Sequence, residues 1–152
     1  MRDYFFFKEL QPVDLPLDYL YLNPDHPGVL LTNWKYIPDS KIDDIVIQKE
    51  VQKLLEDEGL VAKIIENMKI YGFLSMNRVI VRKFVDEKYV VLDDNPRICA
   101  AKFLLREYEE NHASVAEEVI QSFGAIPCLL YTGTETDVSF LMKTVSQYFA
   151  IK

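Results

Sequence analysis

Three consecutive pieces of the chain decide the fold class. They are Arg78-Val79-Ile80-Val81-Arg82-Lys83-Phe84, Tyr89-Val90-Val91-Leu92, and the run Asp93-Asp94-Asn95-Pro96-Arg97-Ile98-Cys99-Ala100-Ala101-Lys102. The first two are rich in β-branched residues and flank the polar turn Asp86-Glu87, which predicts a β-hairpin. The second strand stops at Asp93-Asp94-Asn95-Pro96. Asn95 is a good helix N-cap, and Pro96 then falls at the first helical position, where its missing N–H costs nothing. Ile98, Ala101, Leu105 and Tyr108 share one face of the helix that follows. A hairpin feeding a helix through a tight corner predicts an α/β or α+β domain: a small mixed sheet covered by helices.

Working outward, Ser40 can cap a helix with Asp43 in its first turn, and Ile47, Val51, Leu54 and Leu55 give that helix an apolar face. Gly59 punctuates the pattern. Val61, Ile64, Ile65 and Met68 make a second stripe that ends at Gly72, where a C-terminal cap belongs. The two stripes belong to separate helices or to one bent helix. Downstream, Ser114-Val115-Ala116-Glu117 has the form of a capping box and opens a short helix ending near Gly124. Ile126 to Tyr131 reads as a buried strand, and Pro127 predicts that it lies at an edge or begins late. Val138, Leu141, Val145 and Tyr148 mark a final helix.

Residues 1–40 contain Pro12, Pro16, Pro24, Pro27 and Pro38. They read as an irregular, extended segment, with Tyr19-Leu20-Tyr21-Leu22 as its strand before the turn at Asn23-Pro24-Asp25. Phe5-Phe6-Phe7 predicts either a strand buried in the sheet or a surface that docks a partner.

Length and charge narrow the function classes. The 152 residues fit one domain spanning 1–152. Apolar residues make up 49% and charged residues 27%, a composition that supports a packed core. Lys and Arg number 17 against 24 Asp and Glu, a net charge of −7, which argues against direct DNA binding through phosphates. No apolar run reaches the roughly 20 residues that a membrane helix needs. Met1-Arg2-Asp3-Tyr4 lacks the pattern of a secretory signal, and Cys99 and Cys128 make no disulfide framework, so a cytoplasmic protein is expected. His26 and His112 lack neighbouring Cys ligands, so no zinc spacing is present. No serine-nucleophile motif or Walker-type loop is found.

The order of elements from Glu66 to Tyr131 resembles the N-terminal domain of ParB, of the ParB/sulfiredoxin-like fold. The resemblance rests on several stretches in sequence: Ile70-Tyr71-Gly72-Phe73-Leu74 at a helix end, the Val79 to Arg82 strand, the second strand running into the 93–97 corner, an Ala-containing helix, and Ala125-Ile126-Pro127. Leu15-Pro16-Leu17-Asp18-Tyr19-Leu20 with Asn23-Pro24 is similar to the family's opening. The resemblance implies nucleotide-phosphate binding at the corner, as ParB binds CTP and relatives use ATP, with phosphoryl transfer or hydrolysis as the chemistry. By position it assigns Asp94, Asn95 and Arg97 to the nucleotide, and Asp93 and Asp94 to a bridging Mg²⁺. The departures are Asp94 for the family glycine and Pro96 for its first arginine. They replace a flexible cationic corner with a stiff anionic one, which a triphosphate tolerates only through a metal.

Each candidate has a plainer alternative. Asp93, Asp94 and Asn95 also read as turn and cap residues. Arg97 reads equally as a phosphate ligand, a first-turn surface residue or an ion-pair partner of Asp93 or Asp94. Arg78 and Arg82 fall on one side of a strand and either supply charge to the corner or stand as solvated ends. Sulfiredoxin's catalytic cysteine would align with Asn95, so Cys99 reads as a buried, inert thiol and Cys128 as core. Glu107, Glu109, Glu110, Glu117 and Glu118 read as a solvated face. Three functions remain: a Mg²⁺-assisted nucleotide site, a non-catalytic protein-interaction module that has lost the nucleotide, and a metal-dependent nuclease using a basic face around Arg82, Lys83 and Lys88.

Overall fold

The computed structural model describes residues 9–24, 37–57, 59–134 and 141. Phe5 to Phe7, His26, and Val138, Val145 and Tyr148 of the expected final helix lie outside the described residues. The hairpin forms as its composition dictates. Strand β3 (Val79–Val85) pairs antiparallel with β4 (Lys88–Asp93), and Glu87 takes a left-handed φ of 62° in the turn. The N-terminal segment contributes β1 (Leu10–Leu15) and the short β2 (Leu20–Tyr21), and β5 spans Ile126–Tyr131. Together they make a five-stranded mixed sheet in the order β1-β5-β3-β4-β2. The β1–β5 and β3–β4 pairs are antiparallel, while β3–β5 and β2–β4 are parallel.

Pro127 does not place β5 at an edge. The strand lies between β1 and β3, with Pro127 opposite Asp14. Its pairing with β3 begins one residue later, at Val79 opposite Cys128, so the proline sits where no β3 ladder bond is asked of it.

The helices are α1 (Asp39–Ile42), α2 (Ile45–Glu56), α3 (Gly59–Tyr71), α4 (Asn95–Glu110) and α5 (Glu117–Gln121). The two apolar stripes thus belong to separate helices. Three expected caps move. Ser40 lies inside α1, and α2 is capped instead by Asp44, whose Oδ1 accepts from Val46 N–H at 2.9 Å and Ile47 N–H at 3.3 Å. Asp94, not Asn95, caps α4. Ser114 does not cap α5: its hydroxyl donates back to the carbonyls of Glu107, in the last turn of α4, and Asn111, and α5 starts from Ala116 without a side-chain cap.

Alternation along the strands builds two cores. Val79, Val81, Val91, Ile126 and Cys128 face the helices, where they join Val51, Leu55, Val61, Met68, Ile98 and Leu104. Ile80, Leu92 and Tyr131 form a smaller cluster with Leu141, the one described residue of the expected final helix. Burying each aliphatic side chain is worth about 1.5–3 kcal/mol. The helical layer therefore holds α4, and its N-terminal corner, firmly against the sheet.

Candidate functional site

The corner begins where β4 ends. Asp93 still pairs with Ile80 across the hairpin. Asp94 then turns the chain with φ 83° and ψ 42°, a left-handed conformation in which glycine is the easiest residue. This is the position at which the family resemblance places a glycine. The Asp94 carboxylate accepts from Arg97 N–H through Oδ1 at 3.4 Å and from Arg97 Nε through Oδ2. It caps the helix and, at the same time, pairs with a charged side chain from the first turn.

Asn95 is turned inward and is 0% exposed, the one fully buried polar side chain among the described residues. Its Oδ1 accepts from Asn23 N–H and its Nδ2 donates to the Asn23 carbonyl, both at 2.9 Å. Pro96 occupies the first turn, so it supplies no N–H there. The corner thus splits the three residues expected to hold a nucleotide. Asp94 and Arg97 engage each other, while Asn95 points away into the core.

Arg97 crosses to the loop that follows α3. Its NH1 donates to the carbonyls of Leu74 at 3.4 Å and Met76 at 3.1 Å, and its NH2 donates to the Asn77 carbonyl. The guanidinium lies 5.0 Å from the centre of the Phe73 ring. The loop itself starts at Gly72, whose φ of 73° ends α3. A Cβ on Gly72 would come within 3.2 Å of Ser122 Oγ, the atom that accepts from Phe73 N–H at 3.0 Å.

Between α3, this loop and the corner runs an open groove of about 360 Å³. Ile64, Met68, Leu74 and Met76 give it apolar walls, and Asn77, Asp94 and Arg97 form a polar end. Tyr71, Leu74 and Met76 in its lining are 66%, 50% and 70% exposed, a concentration of apolar surface on one rim.

The remaining candidates fall elsewhere. Among the described residues, no group of three or more His, Cys, Asp or Glu is placed to hold a metal ion. Arg78 bonds the Cys128 carbonyl at 3.2 Å and Asp14 at 3.4 Å. Each cation of the expected basic face is matched by an acid: Arg82 by Asp39 in a two-point contact at 2.7 and 3.1 Å, Lys83 by Asp86 at 3.0 Å, and Lys88 by Asp43 at 2.6 Å. Cys99 is fully buried, with Sγ 3.6 Å from the Gln52 carbonyl, and burial pushes the Cys128 thiol up to about 12. His112 stacks on Tyr108 at 4.5 Å. Glu109, Glu110, Glu117 and Glu118 are exposed and Glu107 half-buried, as a solvated face requires.

Sequence reading missed the role of Asn95 and that of Gln48. The Gln48 amide accepts from Leu22 N–H at 2.9 Å and donates to the carbonyls of Leu22 at 2.9 Å and Ile42 at 2.7 Å. The available signal was an amide set between Ile47 and Val51 in an otherwise apolar stripe. No family profile, no curated protein and no solved structure matches this chain. Among the described residues, no helix is long and apolar enough to cross a membrane.

Proposed function

We propose that this chain is a non-catalytic protein-interaction module of ParB-like architecture whose corner no longer serves a nucleotide. One observation carries the reading: the Asp94 carboxylate occupies the N-terminus of α4, where a phosphate would otherwise sit, and is paired there with Arg97. Helix N-termini attract anions through unpaired N–H groups and the helix dipole. Here Arg97 N–H is taken by Asp94, Pro96 has no N–H, and the guanidinium donates to loop carbonyls. The left-handed backbone at Asp94 supports the family likeness, while the acid standing there supports the loss of its ligand. The exposed apolar rim around the groove supports a protein as the partner.

Thermal unfolding with ATP or CTP, each with and without Mg²⁺, tests the loss of the nucleotide. A nucleotide held at 100 times its dissociation constant adds about 2.7 kcal/mol, a shift of roughly 5–10 °C for a chain of this size. The expected result is no shift under any condition. A shift that needs Mg²⁺ overturns the reading and returns Asp93, Asp94 and Arg97 to phosphoryl chemistry. The partner half is tested in cells with a photo-crosslinking residue at Met76, compared with the same residue at the solvated Glu110. Capture is expected only at Met76 and is abolished by Leu74→Asp.

A further inference from the structure

The loop Phe73–Asn77 belongs to no helix or strand, yet it carries Leu74 and Met76, which line the groove and stand 50% and 70% exposed. An apolar loop so open to water is ordinarily mobile, because few buried contacts oppose its conformational entropy. Its start is anchored by Phe73, 8% exposed within the core, and its exposed part from Leu74 to Asn77 is held by Arg97. Arg97 reaches the carbonyls of Leu74, Met76 and Asn77 and covers the Phe73 ring, while Asp94 fixes the guanidinium at its root. At the start of the loop, Phe73 N–H is tied to Ser122 Oγ. At its end, Asn77 takes a left-handed φ of 57°.

We propose that Arg97 is the positioning residue of the interaction surface: its guanidinium straps the backbone of Phe73–Asn77 to the first turn of α4 and thereby fixes Leu74 and Met76 at the mouth of the groove. The proposal rests on the reading of this corner as one without a nucleotide, since a phosphate would compete for the same donors. Its physical sense is preorganisation. A binding loop already held in one conformation loses little freedom when a partner docks, so more of the contact energy appears as affinity. Only an arginine does this. Its planar fork serves several acceptors at once and lies flat on an aromatic ring, whereas a lysine is a point charge on a flexible stem.

The experiment is timed chymotrypsin digestion of the folded full chain, with cleavage sites mapped by mass spectrometry. Tyr71, Phe73, Leu74 and Met76 offer cut sites in or beside the loop. Arg97→Lys keeps a cation beside Asp94 but loses the fork. Losing one charge-assisted hydrogen bond raises the open population about tenfold, and cleavage follows it. The expected result is cleavage between Tyr71 and Asn77 about tenfold faster than in wild type, with other sites unchanged. Arg106→Lys, which alters the exposed pair with Glu56, is expected to digest like wild type. Phe73→Leu removes the ring under the guanidinium but also thins the core, where Phe73 is 8% exposed, so its loop cleavage is read relative to the other sites and is expected to rise to a lesser degree. An Arg97→Lys loop as resistant as wild type, or cleavage accelerated equally along the whole chain, overturns the proposal. Should the Lys variant not fold, a Phe73→Leu loop as resistant as wild type also overturns it. Crosslinking at Met76 separates this claim from the one beneath it. A loosened loop with no partner in wild type sinks the interaction reading and leaves the strap standing, while normal capture by Arg97→Lys sinks the positioning role alone.

Discussion

The side chain of Asn95 forms both hydrogen bonds of a strand-like pair with the backbone of Asn23, at 2.9 Å each, across 72 positions of sequence. A buried amide thereby stands in for a neighbouring strand at the point where the chain leaves β2. Removing it takes both of these hydrogen bonds from the Asn23 backbone, and losing a buried hydrogen-bond partner costs about 1–3 kcal/mol. Asn95→Ala is expected to lower the free energy of unfolding by about 2–4 kcal/mol, read from urea midpoints at constant slope. Asn95→Asp keeps the shape but cannot donate to the Asn23 carbonyl, and is expected to cost as much at neutral pH. Either variant within 0.5 kcal/mol of wild type, roughly the spread of ordinary surface substitutions, would contradict this role.

Gln48 holds the adjacent residue from the other side, bonding Leu22 N–H, the Leu22 carbonyl and the Ile42 carbonyl. The two amides therefore grip one short segment between α2 and α4. Once either is removed the segment can move, and the second loss costs less. A double-mutant cycle of Asn95→Ala and Gln48→Ala is expected to show coupling of about 0.5–3 kcal/mol, with the double variant less damaged than the sum. Additive losses would mean that the two clamps act independently.

Asp94→Gly tests whether the carboxylate is the resident anion of the α4 N-terminus. Glycine relieves the left-handed backbone, worth about 1 kcal/mol, but forfeits a cap worth about 1 kcal/mol and the pair with Arg97. Stability is expected to change little or fall slightly. The informative readout is inorganic pyrophosphate: the wild type is expected to show no stabilisation and the glycine variant to gain a salt-sensitive one. Equal indifference of both proteins would show that the acid is not what keeps phosphate out.

Lys102 lies on the inner side of α4 with Nζ 5.7 Å from the centre of the Tyr21 ring. Burial holds its pKa below the usual lysine value, against the opposing pull of Asp18. A lowered pKa in the folded state means that the ammonium is penalised there. The penalty is complete below the folded pKa and fades as pH rises toward the unfolded value of 10.5. Lys102→Met is expected to unfold at a higher temperature than wild type at pH 7, with the advantage shrinking as pH approaches that of the free amine. A variant less stable than wild type at pH 7 would show that the ring contact outweighs desolvation.

The parts of the fold legible in the sequence were those with a local cause. The hairpin followed from β-branched runs about Asp86-Glu87, and the stripes of α2, α3 and α4 from helical spacing. Gly72 marked the end of α3 because a left-handed cap favours glycine. The caps shifted for a reason that lies far away along the chain: Asn95 is drawn into the core by Asn23, which leaves Asp94 to cap α4 in a conformation that propensity disfavours. The same holds at the candidate site. Of the ion-pair partners weighed for Arg97, the structure selects Asp94, three residues away. Its hold on Leu74, Met76 and Asn77, some twenty positions earlier, depends on how α3 and α4 pack, which no periodicity encodes. Pro127 left an edge and a late start open, and the neighbouring strand decides between them: pairing with β3 begins only at Cys128.

Strand β1 closes on β5, so Leu10 must find Tyr131 and Leu15 must find Ile126. On the ribosome the first of these strands is made long before the second. At about 5–20 residues per second the wait is roughly 6–24 s. Through that time a six-residue strand carries an open edge on both sides. Pro12, in its middle, removes one N–H from the ladder that a stray strand would need, and Asp14 adds a charge. The same two residues that weaken β1 as a strand protect the nascent chain from sticking to its neighbours until β5 arrives.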